Sequence, residues 1–423
     1  MRRARHRVPG HVVTEHEFQV PLDHGRSDGE RITVFARELV APGKEDGDLP
    51  WLVFLQGGPG GEAPRATAAA PLWIRRALRE FRVLLLDQRG TGLSTPVNHE
   101  TLVRRGDAEA QADYLTHFRA DSIVRDAELI RRELAGDEPW SVLGQSFGGF
   151  CTLTYLSFHP DGIREAIVTG GLPPLTRSPD DVYRATYRRV LERNRRYYER
   201  YPEDRDLVGR IVADLEAGEV ELPGGGRLTA RRFRQLGIGL GASDGAERLH
   251  YLLERAFAEG PGLGYGFLRA VEAAQTFELA PIYAILHEPL YCQGEASRWS
   301  AHRVAAEFSE LDDPSVFTGE MVYPWMLEDY RDLRPLREAA ELLAGYDAWP
   351  PLYDVDVLGR NEVPCAAAIY ADDMYVEREF SEETAATVRG LRPWLTSEYE
   401  HDALRKHGEA VLDRLLRMAR GEL

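Results

Sequence analysis

Apolar residues fall along this chain in two rhythms, and the change from one to the other divides it. Near the start, His16-Glu-Phe-Gln-Val-Pro-Leu and Arg31-Ile-Thr-Val-Phe-Ala-Arg-Glu-Leu-Val contain alternating segments, separated by turn-rich residues 23–30. That pattern predicts an antiparallel pair of strands. Trp51-Leu-Val-Phe-Leu and Phe81-Arg-Val-Leu-Leu-Leu are instead apolar runs, the mark of strands buried on both faces. Residues 121–134 have a polar start, apolar Ile123, Val124, Leu129, Ile130 and Leu134, and a glycine stop at Gly136, which predicts a helix. A short strand over 140–143, a helix carrying Phe150, Leu153 and Leu156, and a strand at Ile163-Arg-Glu-Ala-Ile-Val-Thr follow. Strands alternating with helices in this way indicate an α/β fold with a doubly wound, mainly parallel sheet.

After Gly170-Gly-Leu-Pro-Pro the strand rhythm stops. From about 178 to 345, Arg, Glu, Tyr and Leu recur at helical spacing, with strand-like pieces only near 282–286. Sheet character resumes at Val363-Pro-Cys-Ala-Ala-Ala-Ile-Tyr and again at Arg392-Pro-Trp-Leu-Thr-Ser-Glu-Tyr, before an amphipathic helix over 402–420. The expected organisation is therefore a core in two parts, 1–173 and 346–423, with a large helical cap, 174–345, inserted over the strand ends. At 423 residues the chain is long for one compact domain, which agrees with a large insertion.

Composition narrows the partners. The net charge of −17 argues against nucleic acid or an anionic membrane surface. Cys151, Cys292 and Cys365 are sparse and match no metal-ligand spacing, as expected in a reducing compartment. The basic opening Met-Arg-Arg-Ala-Arg-His-Arg is not followed by an apolar stretch of signal-peptide length, and no apolar run of bilayer length occurs. A soluble, cytoplasmic protein is the expectation.

The chemistry centres on Gly144-Gln-Ser-Phe-Gly, a G-x-S-x-G pattern with a strand before it and a helix after it. A strand turning sharply into a helix holds its middle residue, Ser146, exposed above the sheet edge, and glycine two positions away on each side lets the backbones pass. The helix N-terminus directs free N–H groups at whatever Ser146 attacks. Gln56-Gly-Gly-Pro-Gly-Gly, at the end of an earlier strand, satisfies neither common phosphate-loop pattern. In a serine hydrolase built on such a sheet, that loop supplies an oxyanion N–H, from Gly58 ahead of Gly57, beside the N–H of Phe147. Asp87 and Arg89 in Asp87-Gln-Arg-Gly-Thr-Gly-Leu-Ser are expected to form a structural turn, bonded to backbone and to each other.

A serine hydroxyl needs an imidazole to take its proton and a carboxylate to orient that imidazole. His401 follows a strand near the C-terminus, whereas His407 falls inside the last helix and reads as a solvated surface residue. Asp373 or Asp372, after the preceding strand, is the acid. No metal or organic cofactor is expected.

Together, Gln56-Gly-Gly-Pro-Gly-Gly, Asp87-Gln-Arg-Gly-Thr-Gly-Leu-Ser, Gly144-Gln-Ser-Phe-Gly-Gly, Asp372-Asp-Met and Glu400-His resemble the proline iminopeptidase (prolyl aminopeptidase) family of α/β-hydrolases. The motifs span the whole predicted core. Aligning the family's Tyr-Asp-Met with Asp372-Asp373-Met374 selects Asp373 as the acid. Three departures stand out: Gln56 replaces the usual histidine, the acid motif lacks its Gly-Arg, and no glycine precedes His401. The resemblance implies a peptide substrate with a free N-terminus, from which an N-terminal proline is removed through an acyl-enzyme. It also implies cap glutamates that bind the substrate amine, for which Glu288 and Glu320 are the candidates because both sit among aromatic and apolar residues. Phe147, Tyr323 and Trp325 are candidates to enclose the pyrrolidine ring. An esterase, amidase or lactonase with the same triad, or a non-catalytic binding protein of this fold, are the rival readings.

Overall fold

The computed structural model describes residues 2–26 and 28–423. Among these, nine strands form one sheet in the order β1-β2-β3-β5-β4-β6-β7-β8-β9. The strands are β1 (Arg2–Val8), β2 (His11–Pro21), β3 (Arg31–Val40), β4 (Trp51–Leu55), β5 (Arg82–Asp87), β6 (Trp140–Gln145), β7 (Ile163–Thr169), β8 (Cys365–Tyr370) and β9 (Leu391–Thr396). The first three strands pair antiparallel, and β3 joins β5 antiparallel. From β5 to β9 every pairing is parallel. The predicted antiparallel pair is thus β2–β3. The basic opening adds a strand, β1, that the polar–apolar pattern did not reveal, because an edge strand held by backbone bonds to β2 needs no apolar face.

The helices relevant to the site are α1 (Leu72–Ala77), α2 (Ala120–Ala135), α3 (Phe147–Phe158), α4 (Pro179–Arg200), α5 (Asp204–Ala217), α6 (Pro281–Leu286), α7 (Ser300–Ala305) and α8 (Ala403–Ala419). Alternation along the central strands assigns them to layers. Val53, Leu55, Leu84 and Leu86 share a core with Ile123 and Val124 of α2 and Phe150 and Leu153 of α3. Their neighbours Leu52, Phe54, Val83 and Leu85 share another with Trp73 and Ile74 of α1 and Val411, Leu412 and Leu415 of α8. The runs over 52–55 and 83–86 are apolar on both faces because both faces are covered.

Between β7 and β8 the chain is helical among the described residues, apart from an isolated bridge between Glu221 and Arg227. The strand-like piece near 282–286 is α6, with Pro281 in its first turn, where proline's missing N–H costs nothing. The buried residues of this segment, including Tyr183, Tyr187, Phe233, Phe317 and Tyr330, form one core with Leu102, Leu115 and Phe118 from the stretch before β6 and Met374 from after β8. Among the described residues, no helix is long and apolar enough to cross a membrane. Cys151, Cys292 and Cys365 are buried and form no disulfide.

The turn after β5 departs from expectation in one respect. Asp87 accepts from the backbone N–H groups of Ala63 and Leu93 and from Arg65, while Arg89 binds Asp126 and the carbonyls of Pro21, Leu22 and His117. The two therefore anchor different loops and do not bond each other.

Space at the β6–α3 junction is minimal. A Cβ on Gly144 would overlap the Gly148 carbonyl, and one on Gly148 would overlap the Leu55 carbonyl on β4. Gly148→Ala is expected to destabilise the protein by about 1–3 kcal/mol, the typical cost of overpacking. Gly209 in α5 has nothing within 4 Å of its would-be Cβ. Gly209→Ala should stabilise by roughly 0.5–1 kcal/mol, because alanine loses less backbone entropy in a helix. Urea unfolding of both variants checks the contrast.

Candidate active site

Ser146 stands between β6 and α3 with φ 55° and ψ −125°, a backbone conformation rare for a residue with a side chain. Its N–H donates to the Thr169 carbonyl on β7 at 2.9 Å, and its own carbonyl accepts from Gly149 at 2.7 Å. Fixed at both ends, the half-buried side chain opens onto a cavity of about 360 Å³. Gln56, Gly57 and Gly58 from the loop after β4 line the same cavity, as do His401 and Glu320. A Cβ on Gly57 would come within 3.0 Å of the Ser146 Cβ, so the loop after β4 runs directly beside the serine. Phe147 is buried and begins α3, where first-turn N–H groups have no intrahelical partner.

Asp373 and His401 come from the loops after β8 and β9. The Asp373 Oδ2 lies 2.7 Å from His401 Nδ1, and its Oδ1 accepts from the N–H groups of Tyr375 at 2.9 Å and Val376 at 3.2 Å. A carboxylate held by two backbone donors can only accept, so Nδ1 carries the proton and Nε2 keeps its lone pair. Both residues are buried. Burial pulls the His401 pKa down, but the charge and hydrogen bond of Asp373, helped by Glu320, outweigh it, and the net effect is upward from 6.5. Asp372 turns the other way: its carboxylate binds Arg196 at 2.8 Å, which lowers its pKa. His407 is exposed in α8.

Sequence reasoning missed what holds these two loops together. Arg193 of α4 donates to the Asp372 carbonyl at 2.6 Å and, through Nη1, to the Glu400 carboxylate at 3.0 Å. One guanidinium thus ties the acid-bearing loop to the histidine-bearing loop.

The two glutamates part company. Glu320 is half-buried on the cavity wall, where Oε1 accepts from the Tyr283 hydroxyl and Oε2 lies 3.5 Å from His287 Nε2. Glu288 does not line the cavity. It is buried, and its two oxygens accept from the N–H groups of Ser300 at 3.0 Å and Ala301 at 2.8 Å. Burial raises its pKa although those bonds oppose the shift. Its apolar surroundings, which singled it out in the sequence, are the packing around the start of α7.

Tyr323 and Trp325 are likewise elsewhere. They stack with ring centres 5.3 Å apart inside the helical segment, and the Tyr323 hydroxyl bonds that of Tyr187 at 2.9 Å. Phe147 packs edge-on against Phe150 and contributes no side chain to the cavity wall. The aromatic walls are instead Tyr283 and Tyr375, the latter 4.8 Å from the His401 ring. A smaller apolar recess of about 150 Å³, lined by Ile238, Phe277, Ala280 and Tyr283, adjoins the cavity. Neither tyrosine nor Ile238 was separable in the sequence from ordinary core residues.

Two other features compete for attention. A cavity of about 640 Å³ lies between Val212 and Pro314, but its Arg231 is engaged by Asp329, and its Arg234 by the carbonyls of Val316 and Leu311. Glu203, Asp204 and His250 bring possible ligand atoms within 4.8 Å of one another, away from the cavity wall. Asp204 there already binds His250 and the Tyr197 hydroxyl.

A parallel sheet with a serine on the β6–α3 turn, and an acid and a histidine after later strands, defines an α/β-hydrolase. The family model described as alpha/beta hydrolase fold matches residues 50–254. Over nearly its full length the chain is similar to the proline iminopeptidase of Aeromonas sobria, with 54% identity over 410 residues, or 96% of each protein. It is 37% identical to the proline iminopeptidase aneH of Aspergillus aculeatus over 428 residues, 98% of this chain and 95% of that one. The chain belongs to the proline iminopeptidase family, as its motifs implied. Among solved structures, VinJ is similar at a TM-score of 0.46 and 14% identity, covering 96% of this chain and 99% of that one.

With Asp373 removed, burial, the largest influence on His401, would be opposed only by the charge of Glu320. Asp373→Asn is expected to drop the His401 pKa below 6.5, while Asp372→Asn leaves it above. Nitrogen-detected NMR titration of His401 checks this, and an unshifted titration in Asp373→Asn contradicts the pairing.

Proposed function

We propose that the protein is a serine aminopeptidase that releases N-terminal proline from peptides through an acyl-enzyme. The observation that carries the reading is one cavity lined by Ser146, His401 and Glu320, with Asp373 behind the imidazole. The near-full-length similarity to enzymes named proline iminopeptidase supports the same activity.

Glu320 accepts from the cationic secondary amine of the substrate, a charge-assisted contact strengthened by partial burial. The Tyr283 hydroxyl fixes the carboxylate's orientation. The recess beside it, walled by Ile238, Phe277, Ala280 and Tyr283, takes the pyrrolidine ring. Ser146 Oγ attacks the prolyl carbonyl carbon as its proton passes to His401 Nε2, and Asp373 stabilises the imidazolium. The N–H groups of Phe147 and Gly58 receive the oxyanion. The carbon–nitrogen bond then breaks, the departing amine takes the proton from His401, and a prolyl ester remains on Ser146. Water attacks that ester with His401 again as base, freeing proline and regenerating the serine. Residues 174–345 act as a cap that supplies Glu320 and the recess, over a core formed by 1–173 and 346–423. Three buried thiols outside any disulfide support a cytoplasmic setting.

A prolyl arylamide should be cleaved and its N-acetylated form left intact. Equal turnover of both would favour an esterase or amidase. Glu320→Gln is expected to raise KM for the free-amine substrate by about 10–100-fold, the weight of a hydrogen bond to a charged group. Because Glu320 also helps to raise His401, the acid limb of the kcat/KM profile should move to lower pH in this variant. An acid limb that stays in place would contradict the shared cavity.

A further inference from the structure

Besides His401, the charged side chains lining the cavity are Glu320 and Arg405, of opposite sign. Among the described residues, the Arg405 guanidinium makes no hydrogen bond or ion pair, although the chain carries 69 acidic side chains against 52 basic ones. The nearby carboxylates are committed elsewhere. Asp402 accepts from the backbone and hydroxyl of Ser243, Glu400 is held by Arg193, and Asp244 is bound by Lys406. Arg405 is exposed and still reaches the cavity wall. An unpaired cation left at the mouth of an amine-binding cavity is positioned to meet a negative group on the substrate.

The side of the cavity identifies that group. His401 must face the departing amine, since it hands that amine its proton. Arg405 follows it in the first turn of α8, its N–H bonded to the Asp402 carbonyl at 2.9 Å. Arg405 lines the cavity but not the recess assigned to the prolyl ring, which leaves the side of the leaving peptide for its guanidinium. An extended residue spans only about 3.3–3.6 Å, so the terminus of a very short peptide lies close to the scissile bond. The cavity of about 360 Å³ is at the small end of ligand pockets, which run from about 300 to 1,000 Å³.

We propose that Arg405 binds the C-terminal carboxylate of the leaving fragment and makes the enzyme selective for prolyl dipeptides and tripeptides. The planar guanidinium matches a carboxylate with two parallel donors. This rests on the aminopeptidase reading above, and the test separates the two. The comparison is kcat/KM for prolyl-alanine against prolyl-alanine amide, in wild type, Arg405→Gln and Arg405→Lys, at low ionic strength. Wild type should prefer the free acid by about tenfold, mainly through KM, as one partly exposed charge-assisted contact allows. Arg405→Gln should bring the ratio to about one, and Arg405→Lys should retain part of the preference because it keeps the charge and loses the fork. Added salt should shrink the wild-type ratio, since the site is exposed. A wild-type ratio of about one, or a ratio unchanged in Arg405→Gln, overturns the assignment while prolyl release stands. No hydrolysis of either compound by wild type overturns both.

Discussion

The constraint on which the site depends is the contact of backbones around Gly148. Its α-hydrogen faces the Leu55 carbonyl at the end of β4, and Gly144 meets the Gly148 carbonyl across the turn. Only because these positions lack side chains can β6 turn into α3 directly beside β4. The turn places Ser146 at φ 55° and leaves the loop after β4 alongside it. Ser146 and the loop beside it are therefore set by one packing event in the centre of the sheet, where neighbouring strands prevent relaxation. The remaining groups arrive from the loops after β8 and β9, at the same edge of the sheet, as expected for a parallel α/β architecture.

Electrostatics at that edge are a contest between burial and pairing. His401 is buried enough for desolvation to be the largest influence on it, yet Asp373 reverses the sign. Such a balance is sensitive to geometry, and Arg193 is the element that holds it, since it grips residues adjacent to both partners. The helical segment thus contributes to the site in two ways. It presents Glu320 to the cavity, and through α4 it braces the loops after β8 and β9.

Much of this was legible in the sequence where chemistry is tied to short-range pattern. The G-x-S-x-G turn, the strand runs and the acid and histidine after late strands each carry a local physical reason. Ser146, His401 and an acid at Asp373 or Asp372 could therefore be named as candidates before any coordinates, with the family resemblance selecting Asp373. Direction was not legible. Glu288 and Glu320 both sit among apolar residues, but burial does not say what a carboxylate points at: one caps α7 and the other faces the cavity. Tyr323 and Trp325 carry the same aromatic signal as Tyr283 and Tyr375, and only packing sorted core from wall. The Arg193 bridges reach partners 179 and 207 residues away, and nothing in its neighbourhood marks it among the many arginines of α4. Arg405 is informative because it lacks a partner among the described residues, a property that only a folded chain can have.

The central claim is that Ser146 is a nucleophile activated by His401. Reaction with a fluorophosphonate, followed by intact mass and peptide mapping, measures this without any assumption about the peptide substrate. One adduct on Ser146 is predicted, forming more slowly in His401→Ala by a factor on the order of 10³, since the serine then loses its base. No adduct, an adduct on another residue, or an equal rate in His401→Ala would contradict the account.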